Sequence, residues 1–300
     1  MALRISFKTS PQLVDWPTLD ATWRRAGALS AGGGPEAFDG AWMNDHLVDM
    51  DPAHAGPSFE ALTLVGTLVH HVPGMRVGHA VLSNTFRHPV LVAKAAVVLD
   101  HATAGHFVLG LGAGWFEQEH GPFGIAMPPI GERISRLESA VGVYRALMSP
   151  EAATAPGVTR ADPFYPLAGA VNLPSPLTPG GPPLFLGGQG PRGIRLAARE
   201  AQGWLLPGTD AGDVGYFSEK RDLIRAALED AGRDPAGFEI IGQVATGSDA
   251  GGRARALGQA RALAAAGASE VVLGMPAALG PTGLDDVHRE LLLPLRDATA

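Results

Sequence analysis

The 300-residue chain contains no cysteine. That excludes a disulfide framework, a thiolate nucleophile and a sulfur-ligated metal, and it agrees with a reducing, cytoplasmic compartment. Lysine is nearly as scarce, with Lys8, Lys94 and Lys220 the whole set. Lys94 and Lys220 fall in predicted helices, which leaves Lys8 alone for a Schiff-base reaction, a thin basis for an aldolase. Positive charge is also in deficit, since 23 Lys and Arg against 30 Asp and Glu leave a net charge of −7. Such a balance offers no basic footprint to nucleic acid or to an anionic membrane. No apolar run approaches the roughly 18 residues needed to cross a bilayer. The opening stretch MALRISFKTS enters a strand-like alternation without a signal-type apolar block. There is no H-x-H pair on the first strand or elsewhere, so a barrel-type metallohydrolase lacks its ligands and no metal site is expected. What remains is a cytoplasmic protein acting on a small-molecule substrate.

What the chain does have is apolar mass, 46% hydrophobic against 18% charged residues, enough to bury a large core. β-Branched and aromatic runs recur at residues 4–8, 38–43, 75–82, 106–112, 183–188, 203–208, 238–246 and 269–275. Alanine- and leucine-rich helical stretches follow them at 16–29, 59–71, 89–104, 131–148, 191–202, 213–231, 250–266 and 283–297. Eight strand–helix pairs predict an α/β fold, a (β/α)8 TIM barrel in a single domain over residues 1–300. The glycine- and proline-rich stretch 149–183 is too long for an ordinary connection, and reads as an insertion before the fifth strand that covers part of the barrel mouth. A doubly wound open sheet also alternates strand and helix. Its G-x-G-x-x-G fingerprint belongs on the first strand–helix turn, however, whereas GLGAG here (Gly110 to Gly114) sits in the fourth unit and leads into WFEQEHGPFG, which has no helical period.

Active sites of such barrels form where strands end. The second strand delivers Asn44, Asp45 and His46, an imidazole beside a carboxylate, suited to acid–base work near neutral pH. The same pair could equally be a helix cap and a surface histidine. His54, His70, His71 and His101 fall in loops or on the far side and receive no role, and His88 shapes the turn before Pro89. GGQGPRG (Gly187 to Gly193) joins a strand to a helix start, where free backbone N–H groups and the helix dipole favour a phosphate and Arg192 could add charge. Gly112, Ala113, Gly114 and Trp115 end the preceding strand. The glycines would let a flat ring approach the backbone, with Trp115 either stacking on it or packing into the core. In ERISRLESA, Arg133 and Arg136 read as solvated or paired with Glu117, Glu119 or Glu138.

Taken together, WMNDHL, RHPVLVAKAAVVLDHATAGHFVLGLGAGWFEQEHGPFGI, RISRLESAVGVYRALM and LFLGGQGPRGIRLAAREAQGWL resemble the bacterial luciferase-like superfamily of flavin- and coenzyme F420-dependent oxidoreductases. The similarity covers about residues 1–210. It implies a homodimer whose cofactor lies at the carboxyl ends of the strands. By position, His46 matches the histidine that F420-dependent members place beside the reactive ring, with Asp45 orienting it. Ala80–Val81 matches a non-proline cis peptide that supports the ring, Gly112 to Trp115 the cofactor-contacting loop, and Gly187, Gly188, Gln189, Gly190, Pro191 and Arg192 the phosphate loop. Met50 and Trp115 stand where the sugar-phosphate dehydrogenases of the family carry tryptophan and glutamate, and Gly112 and Ala113 where luciferases carry cysteine and arginine. Both subfamilies are thereby disfavoured.

The resemblance implies an F420-dependent oxidoreductase that moves hydride between the deazaflavin and a small organic substrate. An FMN-dependent monooxygenase, fed by a flavin reductase, and a non-catalytic flavin-binding protein stay open beside it. Substrate choice is expected to lie in the 149–183 insertion and in the loops at residues 9–13 and 48–56.

Overall fold

A computed structural model of the chain describes residues 3–51 and 56–299. His54 and the centre of the 48–56 loop lie outside them. Strands β1 (Arg4–Thr9), β2 (Gly40–Met43) and β3 (Arg76–His79) are followed by the two-residue β4 (Leu82–Ser83) and by β5 (Phe107–Gly112). After β6 (Val158–Arg160) and β7 (Leu167–Ala170) come β8 (Leu184–Leu186), β9 (Gly203–Leu205), β10 (Glu239–Ala245) and β11 (Glu270–Gly274). Parallel pairing runs β3-β2-β1-β11-β10-β9-β8-β5, and β5 returns to β3, closing the barrel. The fold is thus the (β/α)8 barrel that the eightfold alternation predicts.

Helices α1 (Trp16–Ser30), α2 (Ala61–Leu68), α3 (Pro89–Ala102), α4 (Ile130–Leu147), α5 (Pro191–Glu200), α6 (Val214–Asp230) and α7 (Ala250–Ala265) surround the strands, followed by α8 (Gly280–Val287) and α9 (Leu293–Thr299). Sequence reading makes the last two one helix. A π-helical turn at His288–Leu292 separates them instead, and Pro294, which has no N–H to give and crowds the carbonyl four residues back, accounts for the wider turn.

Strand alternation divides the core in two. Trp42, Val108, Phe185, Leu205, Ile241 and Val272 point inward and fill the barrel, while Ile5, Phe7, Val77 and Leu109 point outward under the helices. Arg76 donates to Glu239 and Glu270, and Arg4 pairs with Glu239, all inside the barrel below that apolar layer. Ser6 Oγ and Trp42 Nε1 both donate to the fully buried Glu270, at 2.6 and 2.7 Å, so this charged floor is hydrogen-bonded.

The predicted third strand breaks in two. Its interruption is a cis peptide at Ala80–Val81, the position the resemblance implies. β3 pairs with β2 and β5, whereas β4 pairs with β5 alone.

The insertion corrects an expectation. Instead of covering the mouth, it forms the β6–β7 hairpin and lies along α3 and α4. Thr178 donates to Asp100, Asn172 Nδ2 to the Leu147 carbonyl and Lys94 Nζ to the Leu173 carbonyl. Its 162–165 stretch meets the first half of α4, with Phe164 under the Arg136 guanidinium at 4.9 Å, and the Tyr165 ring meets His88, 5.2 Å between centroids.

Candidate active site

β2 delivers His46 and Asp45 to the mouth, and their side chains part company there. Asp45 is buried and accepts from the Ser83 backbone N–H at 2.7 Å and from both terminal nitrogens of Arg87, at 2.7 and 2.8 Å. Arg87 also holds Glu60. Burial alone lowers the Arg87 pKa, but its two carboxylate partners outweigh that and raise it. Burial likewise pushes the Glu60 carboxyl up, and the Thr63 N–H together with Arg87 overcomes it and holds the group at about 2. The expectation that Asp45 orients His46 is therefore corrected: its lone pairs are committed to Arg87 and the β4 backbone.

The carboxylate that orients His46 is Glu119. Its oxygens lie 3.1 and 3.2 Å from His46 Nδ1, and one of them also accepts the Leu47 backbone N–H at 2.9 Å. A carboxylate only accepts, so Nδ1 carries the hydrogen and Nε2 is the nitrogen left for chemistry. Glu119 is buried, whereas the expectation paired it with Arg133 or Arg136. Arg136 pairs with Glu132, one helical turn away, and Arg133 donates to the Pro128 carbonyl.

Glu119 reaches His46 because the loop after β5 folds back through two 3-10 turns, Glu117–Glu119 and Gly121–Phe123. The buried His120 pins that loop. Its Nδ1 donates to the Phe116 carbonyl at 2.8 Å, which leaves Nε2 to bond Thr85 Oγ1 at 2.7 Å, and Thr85 in turn contacts Ser83 Oγ at 2.6 Å. Trp115 stands edge-on to His46, centroids 5.9 Å apart, and is 55% exposed. That settles its two readings against core packing. Phe116 also stands edge-on to the imidazole, at 6.0 Å, beside Trp115, whose ring centroid lies 5.3 Å from its own.

The glycines of this loop make room for neighbouring protein atoms. A Cβ on Gly112 would stand 2.7 Å from Val81 Cγ2, and one on Gly187 3.1 Å from the same atom. These residues are small to admit Val81, and Ala113 is packed against the core between them. Gly114 has φ +78°, and its Cβ would meet Ser83 Oγ at 2.8 Å and Thr85 Oγ1 at 2.9 Å, so only glycine fits.

The β8 loop forms the predicted strand-to-helix turn. Gly187 N–H goes to the Leu111 carbonyl at 2.9 Å and the Gly188 carbonyl accepts from Trp204 Nε1 at 2.8 Å. Tyr216 donates to Gln189. Gly190 caps α5, with Pro191 in its first turn. The backbone N–H groups of Gly188, Gln189, Gly190, Arg192 and Gly193 have no acceptor among the described residues. Arg192 differs from expectation, because its guanidinium turns to α4 and pairs with Glu138 at 2.8 Å. Free amides, the α5 dipole and an exposed indole beside His46 fit a cofactor with an anionic tail and a flat ring, the tail held by backbone rather than by arginine.

Sequence reasoning missed Glu119, Arg87 and His120 as members of the site. The carboxylates of WFEQE were visible, but which of them folds back on β2 depends on loop geometry that has no sequence period.

A parallel barrel with a carboxylate-held histidine and a turn of free backbone amides at the carboxyl ends of its strands is the class that fold and site define. The profile of the luciferase-like monooxygenase family matches residues 4–280, and the chain belongs to that family. It is 29% identical over 236 residues to a phthiodiolone/phenolphthiodiolone dimycocerosates ketoreductase of Mycobacterium tuberculosis, covering 73% of this chain and 58% of that protein. It is 32% identical over 199 residues to an F420-dependent glucose-6-phosphate dehydrogenase of Nakamurella multipartita, covering 65% and 55%. The chain thus spans less than two thirds of the length of these relatives. Among solved structures, an F420-dependent secondary alcohol dehydrogenase in complex with an F420-acetone adduct superposes with a TM-score of 0.79 over 98% of this chain and 99% of that one, at 16% identity.

Proposed function

We propose that the protein is an F420-dependent oxidoreductase acting on a small organic substrate. The observation that carries this reading is the His46–Glu119 pair, 3.1 Å apart, which fixes the imidazole tautomer and leaves Nε2 uncommitted beside Trp115. Both relatives named above are oxidoreductases by name. One of them, and the superposed structure, are F420-dependent by name.

When bound, the deazaflavin supplies the hydride chemistry. The free amides between Gly188 and Gly193 would hold its anionic tail, and Ala80, Val81 and Trp115 would face its ring. His46 Nε2 gives or takes the proton that balances hydride transfer at the substrate oxygen. Glu119 keeps Nδ1 protonated and compensates the charge when Nε2 is also protonated. Asp45 and Arg87 hold the backbone from β2 to β4 and take no proton.

Titrating the purified protein with F420 and with FMN, each followed by fluorescence, tests the cofactor. Tighter binding of F420 is expected. Preference for FMN overturns the assignment and points to a monooxygenase fed by a flavin reductase. A homodimer is part of the same proposal, supported by Leu91 and Val98, seven residues apart on one face of α3 and 65% and 64% exposed.

A further inference from the structure

Lys8 projects from β1 into the barrel, where its ammonium donates to Gln243 Oε1 on β10. Gln243 cannot turn, because its Nε2 donates to the Leu206 carbonyl. One of the three ammonium hydrogens is thereby used. No carboxylate among the described residues pairs with Lys8, and burial alone lowers its pKa to about 8. It is a cation without a counter-ion.

A cavity of about 180 Å³ opens beside it, room for roughly six waters or one small molecule. Ala211, Val244, Ala245 and Met275 line it, and no lining residue other than Lys8 is charged. A Cβ on Gly274 would stand 3.2 Å from Lys8 Cε, so glycine there lets the lysine stem lie flat against β11. Asn44, half-buried, also lines this space, and its side-chain amide makes no hydrogen bond within the described residues. The hydroxyls nearby are engaged, since Ser10 Oγ donates to Gln12 and Thr9 Oγ1 accepts from Trp23 Nε1 at 3.0 Å. Two spare ammonium hydrogens and one spare amide therefore meet a small, otherwise apolar space two residues along the chain from His46.

We propose that Lys8 and Asn44 form an oxyanion subsite that takes the carboxylate of a small carboxylic-acid substrate, whose short apolar remainder lies against Ala211, Val244 and Met275. A bound carboxylate supplies the missing counter-ion and accepts the unused hydrogens. The word substrate rests on the oxidoreductase reading; the binding event does not, because it needs no cofactor.

The test uses the whole protein labelled with ¹³Cε-lysine. Three lysines give three resonances, and Lys8→Met identifies that of Lys8. Pyruvate is expected to raise the Lys8 titration midpoint by about one pH unit or more, while its neutral ester, methyl pyruvate, leaves it in place. Lys8→Met and Asn44→Ala are each expected to weaken pyruvate binding about tenfold or more in calorimetry, with F420 affinity kept. An unmoved Lys8 midpoint in pyruvate, an equal movement in methyl pyruvate, or undiminished pyruvate binding by Lys8→Met overturns the subsite. The midpoint measurement needs only wild-type protein, so it stands even where a variant fails to fold. F420 binding without a pyruvate response would sink the subsite and spare the cofactor assignment; a pyruvate response without F420 binding would do the reverse.

Discussion

The imidazole of His46 is held through Nδ1 by the carboxylate of Glu119, 73 residues further along the chain. Glu119 is thus a positioning residue. Glu119→Gln is expected to lower kcat about tenfold to a hundredfold, with F420 affinity unchanged within about threefold. Steady-state kinetics beside a fluorescence titration checks this. A fall in affinity without loss of kcat would place Glu119 on the cofactor instead.

Asp45 and Arg87 act on the frame. Removing one partner of a buried pair strands the other charge, so Arg87→Met should cost about 3 kcal/mol of stability, read as a lower urea midpoint. Asp45→Asn should lose stability in the same way, and kcat measured on its folded fraction should fall far less than for His46→Ala. Equal loss of kcat in both variants would restore Asp45 to the chemistry.

Lys8 makes stability depend on pH. The unfolded chain keeps this proton up to about 10.5, while the folded protein releases it near 8. Between those values the unfolded state binds more protons, so stability rises with pH through the window, and below about 8 the full cost of the buried cation is present. Lys8→Met should therefore be more stable than wild type by about 3 kcal/mol at pH 7, with the gap closing towards pH 10.5. Urea midpoints of both proteins at pH 7 and pH 10 check it. A constant gap would mean that Lys8 is not the titrating group.

Arg192 is engaged with Glu138 and not with the anion turn. Arg192→Ala should change F420 affinity less than about threefold, as expected of an exposed ion pair. A drop of about tenfold or more would mean that the guanidinium swings in to the cofactor.

Much of this architecture is legible in the sequence because strand signals are local. SEVVLGM and FEIIGQVAT announce β11 and β10 by composition, and GGQGPRG announces the turn into α5 through its glycines and Pro191. Two features escape that logic. Glu119 meets His46 only because its loop doubles back, and nothing in EQEH marks which carboxylate faces inward. Arg87 reads as an ordinary loop residue until β4 brings Ser83 beside Asp45. The insertion was misplaced for a related reason: its length is visible, but its docking on α3 and α4 depends on single contacts such as Thr178 with Asp100. The glycines of GLGAG stand out in the sequence, but the protein atoms they make room for, the His79 carbonyl, Val81, Ser83 and Thr85, come from the neighbouring strand and its loop and are not visible there.

A crystal structure of the protein with F420 tests the central claim most directly. The account expects the deazaflavin ring within hydrogen-bonding reach of the substrate space at His46 Nε2, and the anionic tail on the amides of Gly188 to Gly193. A ring on the far side of Trp115, or a tail bound away from the α5 turn with His46 still locked to Glu119, would contradict it.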